Sequence, residues 1–437
     1  LYIAHCIQVD VQNDRIRNTI FTYFRNMIQF EKIKLKNNLT LIIHQDKSTP
    51  MACVNILYNV GARDEDESKT GFAHLFEHLM FGGSINIPNY DEPLQLVGGE
   101  NNAFTTNDIT NYYCTVPAEN LETAFWLESD RMLSLAFTDK SLEVQRSVVI
   151  EEFKQRYLNQ PYGDVWLLLR PLAYKVHPYK WSTIGKEISH IENAVMGDVK
   201  AFFKEHYCPA NAILVVAGDV ERENVIALAE KWFEPIASGV ATVRNLPKEP
   251  EQTEERTMTV HKDVPQDGIY KAYHMCARVD EEYHAIDIMS DILSRGNSSR
   301  LYKELVKDKK LFSDLNAYVM GDFDNGLFVI SGKLSDGVTI EQAEQGIEVE
   351  LQKIKTETIP VDELQKCKNK TESTIIFSEA DVLNKATNLA ISELLGDANL
   401  INEEAEKYQQ VTAEGIKKVA NKILRKTNCS TLYYLKK

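Results

Sequence analysis

Gly71-Phe72-Ala73-His74-Leu75-Phe76-Glu77-His78-Leu79-Met80-Phe81-Gly82-Gly83 is the stretch from which the rest of the chain is read. Its apolar residues recur at helical spacing and the paired glycines supply a C-terminal stop, so it reads as a helix over 71–81. Residues four apart share one face of a helix, so His74 and His78 present their imidazoles to one point in space. Two histidines at that spacing form a ready zinc pair. Glu77 falls in the same turn but off the line joining them, better placed to hold a water than to bind the ion.

Strand-like runs precede this helix at Leu39–His44 and Cys53–Val60, and FEKIKLKNNLTLIIHQD reads as two strands around an Asn-Asn turn. Downstream, Asn102–Val116 alternates like a strand. Residues 117–134 and 141–159 carry helical periodicity, closed by Pro161, and Ala212–Val216 is a buried-type strand. The second half repeats the plan, with a strand pair at Thr257–Val264 and Gly268–Met275. A helix from Glu281 to Leu293 then ends at Gly296, as the His74 helix ends at Gly82. The expectation is two related halves of α+β class. They span 27–236 and 257–437, with a linker over 237–256 marked by Gly239, Pro247 and Pro250.

Residues 1–26 lack this patterning, and two readings stand for them. One is an extension that is not native, with Met27 as a natural start; the other is an amphipathic helix on Ile16, Ile20, Phe21 and Phe24. No basic stretch followed by an apolar core is found there, so the segment does not read as a signal peptide.

Over the whole chain, 437 residues that are 43% hydrophobic and 26% charged exclude a disordered, collagenous or coiled-coil protein. A net charge of −15 argues against nucleic-acid or anionic-membrane binding. No run of 18 apolar residues occurs to span a bilayer. The seven cysteines are scattered, odd in number and never in a CxxC pair, which points to free thiols in a reducing, cytoplasmic setting.

A catalytic zinc site needs a third protein ligand and an open fourth position. Val148-Val149-Ile150-Glu151-Glu152-Phe153, an apolar run ending in two carboxylates, offers one, but spacing does not choose between Glu151 and Glu152. His177, His190, His206, His261 and His274 lack ligand spacing and read as ordinary.

His74–His78 is an HxxEH motif, the inverse of HExxH. Together with GENNAFTTNDITN (99–111), SVVIEEFKQRYLNQPYG (147–163) and YCPANAILVVAGD (207–219), it makes residues 28–437 resemble the pitrilysin-type zinc peptidases. That inverzincin group includes insulin-degrading enzyme and mitochondrial processing peptidase, and in size the chain is similar to its small bacterial subunits. The resemblance implies two similar domains, each a mainly antiparallel sheet packed against helices, with metal ligands only in the first. It implies one Zn2+ per chain held by His74, His78 and Glu152, with Glu77 as the general base. It places Gln145 where the family often has a supporting glutamate. It also assigns Asn102, Ala103 and Phe104 to the strand edge that pairs with a peptide substrate.

The chain departs from the family in its second half. Members with a complete site carry there an Arg and, seven residues later, a Tyr; aligned from Ser299-Arg300-Leu301, those positions are Val306 and Ser313. The α-helix at His284–Ile292 has no HxxEH either. The resemblance therefore implies the metal-bearing subunit of a two-subunit metalloendopeptidase chamber, with a homologous partner supplying Arg and Tyr, or else a homodimer. The alternative is a non-catalytic peptide-binding or scaffold subunit.

Overall fold

The computed structural model describes residues 27–437; the two readings of 1–26 lie outside the described residues. The first half runs β1 (Glu31–Lys34), β2 (Thr40–Gln45), β3 (Met51–Tyr58), α1 (Phe72–Leu79), α2 (Asp91–Leu96), β4 (Glu100–Thr105) and β5 (Thr110–Pro117). It continues with α3 (Leu121–Leu133), α4 (Asp139–Phe153), α5 (Val165–Ala173), α6 (Ile188–Glu192), α7 (Met196–His206), β6 (Ala212–Gly218) and α8 (Arg222–Trp232). The second half holds β7 (Arg256–Lys262), β8 (Gly268–His274), α9 (Tyr283–Ser294), β9 (Phe312–Met320) and β10 (Leu327–Leu334). Then come α10 (Ile340–Thr356), α11 (Val361–Ser378), α12 (Val382–Leu394), α13 (Leu400–Gln409), α14 (Ala413–Ile423) and β11 (Cys429–Lys436).

Apart from the extra edge strand β1, the two sheets have one topology. The first orders its strands β1-β2-β6-β3-β5-β4 and the second β7-β11-β8-β10-β9. Strands β2 and β6 pair in parallel, as do β11 and β7, and every other pairing is antiparallel. The fold is thus a doubled α+β unit with mixed sheets. Helix α1 follows β3 as α9 follows β8, and each is followed by a glycine at φ 91°, Gly83 and Gly296. That left-handed conformation is why the glycines could be read as helix stops.

Each sheet is covered on one face by its own half and on the other by a helix lent from the opposite half. On the first sheet, Leu41, Val54, Ile56, Leu214 and Val216 pack with Phe76, Phe125 and Val149 of α1, α3 and α4. The opposite face, with Ile42, Cys53, Leu57 and Val215, is covered by Ala386, Leu389 and Ala390 of α12. Reciprocally, Val165, Leu169 and Ala173 of α5 cover Ala272, Val329 and Leu432 of the second sheet. Burial of both faces explains why β3 and β6 read as unbroken apolar runs rather than as alternating strands. Residues 237–255 carry neither helix nor strand but are bonded to the body. Arg244 grips Asp64, and the Glu249 carboxylate accepts the backbone N–H groups of Lys175, Val176 and His177.

Two turns form a polar seam between the halves. Arg63 pairs with Asp108 (2.9 Å) and Asp324 (3.1 Å), Tyr179 donates to Asp108, and Asn107 donates to Asp322 (2.9 Å). Burial and the neighbouring Asp108 charge push the Asp322 carboxyl up to about 6, against the pull of Arg170, Asn107 and Arg63. A carboxyl raised in the folded state contributes stability that is full below its unfolded pKa, about 4, and is lost as pH rises to 6. Asp322→Asn, which still offers Asn107 an acceptor oxygen, should therefore gain on the parent as pH rises from 4 to 7. The expected gain in Tm is about 2–4 °C. Thermal melts of both proteins across that range check it; a Tm difference independent of pH rejects it.

Candidate metal centre

Helices α1 and α4 bring the site together. The Nε2 atoms of His74 and His78 each lie 3.5 Å from Oε2 of Glu152. One donor atom from each of the three residues falls within a 4.8 Å group, and the described residues hold no second such cluster of histidine, cysteine and carboxylate. Of the two adjacent carboxylates, Glu152 faces the histidines, whereas Glu151 is exposed and pairs with Lys154 at 2.7 Å.

The donor set suits zinc: two imidazole nitrogens and one carboxylate are its catalytic-site ligands. Ligand bonds of about 2.0–2.1 Å at tetrahedral angles put neighbouring donors about 3.3–3.5 Å apart, matching the spacing here. Burial, reinforced by the His78 charge, lowers the His74 pKa to about 4, so the ring is neutral at pH 7, as a metal donor must be.

Three side chains that the sequence did not single out hold this arrangement. Buried Glu65 accepts the N–H groups of Gly71 (2.9 Å) and Ala73 (2.8 Å), fastening the start of α1. Burial pushes its carboxyl up to about 8, while those donors pull the other way. Thr105, the last residue of β4, donates its hydroxyl to Oε2 of Glu77 (2.6 Å) and so ties the strand edge to the helix. Burial raises the Glu77 pKa, and the Thr105 hydroxyl opposes it. Arg156 reaches Oε1 of Glu152 at 2.9 Å. Of these, Arg156 alone carried a signal in the sequence, one helical turn beyond Glu152; Glu65 and Thr105 act through contacts no spacing announces.

Asn102, Ala103 and Phe104 lie on β4, the terminal strand of its sheet, paired only to β5 among the described residues. The Ala103 N–H is held by Oδ1 of its neighbour Asn102 at 2.8 Å. Gln145 is half-buried on α4, two turns before Glu152, and its side chain makes no hydrogen bond among the described residues. In the second half, Val306 packs against the core and Ser313 bonds to Gln266 and Lys333. Arg300 is committed to Glu363 through two hydrogen bonds.

A doubled α+β fold, with a two-histidine, one-carboxylate group in the first half, defines a class of two-domain peptidases. Comparison with known proteins specifies it. Residues 40–184 match the family model described as Insulinase (Peptidase family M16), and residues 194–371 match the Peptidase M16 inactive domain. The chain is similar to the zinc protease PqqE of Helicobacter pylori, at 31% identity over 92% of each chain. The crystal structure of a protease from the same species superimposes with a TM-score of 0.87 at 30% identity, over 93% of this chain and 99% of that one. The periplasmic protease PqqL of Escherichia coli shares the fold at 18% identity and a TM-score of 0.77; there the match covers 93% of this chain but 47% of that one. The chain belongs to the M16 peptidase family.

Proposed function

We propose that this chain is a zinc metalloendopeptidase in which His74, His78 and Glu152 hold the metal and Glu77 is the general base. The observation that carries this reading is the meeting of three donor atoms within 4.8 Å, with Glu77 on the same helix and its carboxyl within reach of the His78 and Glu152 charges. A zinc ion held there supplies a Lewis acid that polarises a carbonyl and acidifies a water. The chain's own residues do the rest. Glu77, with Oε2 fixed by Thr105, takes the proton of the attacking water and returns it to the leaving amine. The outer edge of β4, unpaired among the described residues, offers its backbone groups to an extended, unfolded peptide, whose carbonyl would replace the Asn102 amide oxygen at the Ala103 N–H.

The chain also acts, on this reading, as one of two subunits closing a chamber. Val306 and Ser313, which offer no cation and no phenol, support that. The second subunit is a homologue supplying Arg and Tyr, or a second copy of this chain. The purified chain should carry about one zinc. A chelator should bring peptide hydrolysis to background, and added zinc should restore it. Assays with and without a homologous Arg/Tyr-bearing subunit measure the partner's contribution. A chain that binds no zinc and hydrolyses no peptide is a scaffold subunit, and one whose hydrolysis ignores chelators is not a zinc enzyme; either result overturns the reading.

A further inference from the structure

Glu152 is held from two sides. Its Oε2 faces the histidines at 3.5 Å each, while its Oε1 is taken by Nη1 of Arg156 at 2.9 Å. Arg156 is not on α4 itself but on the π-helical turn Lys154–Leu158 that continues it. Such a turn widens the helix by a residue and re-aims the side chains after it, a feature that recurs at functional sites. The side chain is 70% exposed and reaches back over a shallow depression of about 470 Å³ lined by Ser147, Val148, Glu151, Glu152, Gln155 and Arg156.

An arginine that exposed gains little stability from one carboxylate. Its geometry instead bears on how Glu152 is presented. A carboxylate can ligate through one oxygen or through both, and two-oxygen ligation would fill the position that a catalytic metal keeps open. We propose that Arg156 is a positioning residue that fixes Glu152 as a one-oxygen ligand, so that the fourth position of the His74–His78–Glu152 site stays free. The guanidinium occupies Oε1 from outside, and only Oε2 remains turned to the histidines. This inference rests on the metal-site reading given above.

The test loads the full chain, and its Arg156→Leu and Arg156→Lys variants, with Co2+ and with Zn2+. Before loading, all three should melt together, since the ion pair is exposed. In the parent, Co2+ should give the intense visible bands of a four-coordinate ion. In Arg156→Leu these should weaken as Glu152 turns to ligate through both oxygens, and Arg156→Lys should recover them in large part. Zinc affinity, measured by chelator competition, should not fall in Arg156→Leu, since a ligand oxygen is added and a cation is removed from beside the metal. A parent that takes up no metal overturns the metal-site reading and this inference with it. A parent that binds cobalt, with an Arg156→Leu spectrum identical to its own, overturns the role of Arg156 alone.

Discussion

Glu77→Gln is expected to keep about one zinc per chain and to lose peptide hydrolysis by roughly 10²–10⁴-fold, the usual contribution of a general base. The separation of the two effects follows from the site. The three clustered donor atoms belong to His74, His78 and Glu152, so Glu77 can change without removing one of them. Gln keeps the size of Glu and an oxygen that can accept the Thr105 hydroxyl now bonded to Oε2, so the tie between α1 and β4 survives. What is lost is the ability to take up a proton. Metal analysis and turnover on one preparation decide the matter. A Glu77→Gln protein that hydrolyses peptides at the parental rate rejects the assignment, and one that loses its zinc shows that Glu77 is itself part of the metal shell.

The largest effect on stability is expected at Arg131. Its side chain is buried on α3, bonded through Nε and Nη2 to Glu128, which is buried as well. The guanidinium lies 4.4 Å from the ring centre of Tyr112 and 4.8 Å from that of Tyr90, whose hydroxyl donates to Glu128 at 2.6 Å. Arg131→Met fills a similar volume but leaves the buried Glu128 carboxylate with the Tyr90 hydroxyl and no cation, a loss of about 3–5 kcal/mol. Adding Glu128→Leu removes the stranded charge and should recover much of that loss, because a buried pair replaced as a whole by apolar residues costs little. Urea unfolding of the parent, the single and the double variant measures both steps. A single variant within 1 kcal/mol of the parent would mean that water reaches the pair.

Much of the site was legible because it is local. The spacing of His74, Glu77 and His78 within one helix needs only the helical period, and Gly82-Gly83 marks where that helix stops. Strands β2, β3 and β6 announced themselves as apolar runs. The boundary between β4 and β5 did not: Asn102–Val116 read as one alternation because the turn at 106–109 contains no glycine or proline. The choice between Glu151 and Glu152 was equally closed to spacing, since adjacent residues on a helix differ only in direction. It took the packing of α4 on α1 to turn one toward the histidines and the other toward Lys154. The exchange of α5 and α12 left no trace in the pattern. An amphipathic helix records that one face is buried, not which sheet buries it.

That exchange orders events during synthesis. The strands of the first sheet are complete once Gly218 is made, but the helix that seals their outer face begins only at Val382. Until then, among the described residues, Ile42, Leu57 and Val215 have no helix over them, and the nascent first half exposes an apolar sheet face while the second emerges. Completing the half that holds His74, His78 and Glu152 therefore waits on the last quarter of the chain. Truncations that spare His74, His78 and Glu152 but remove α12 would be expected to yield aggregates before they yield a folded first half.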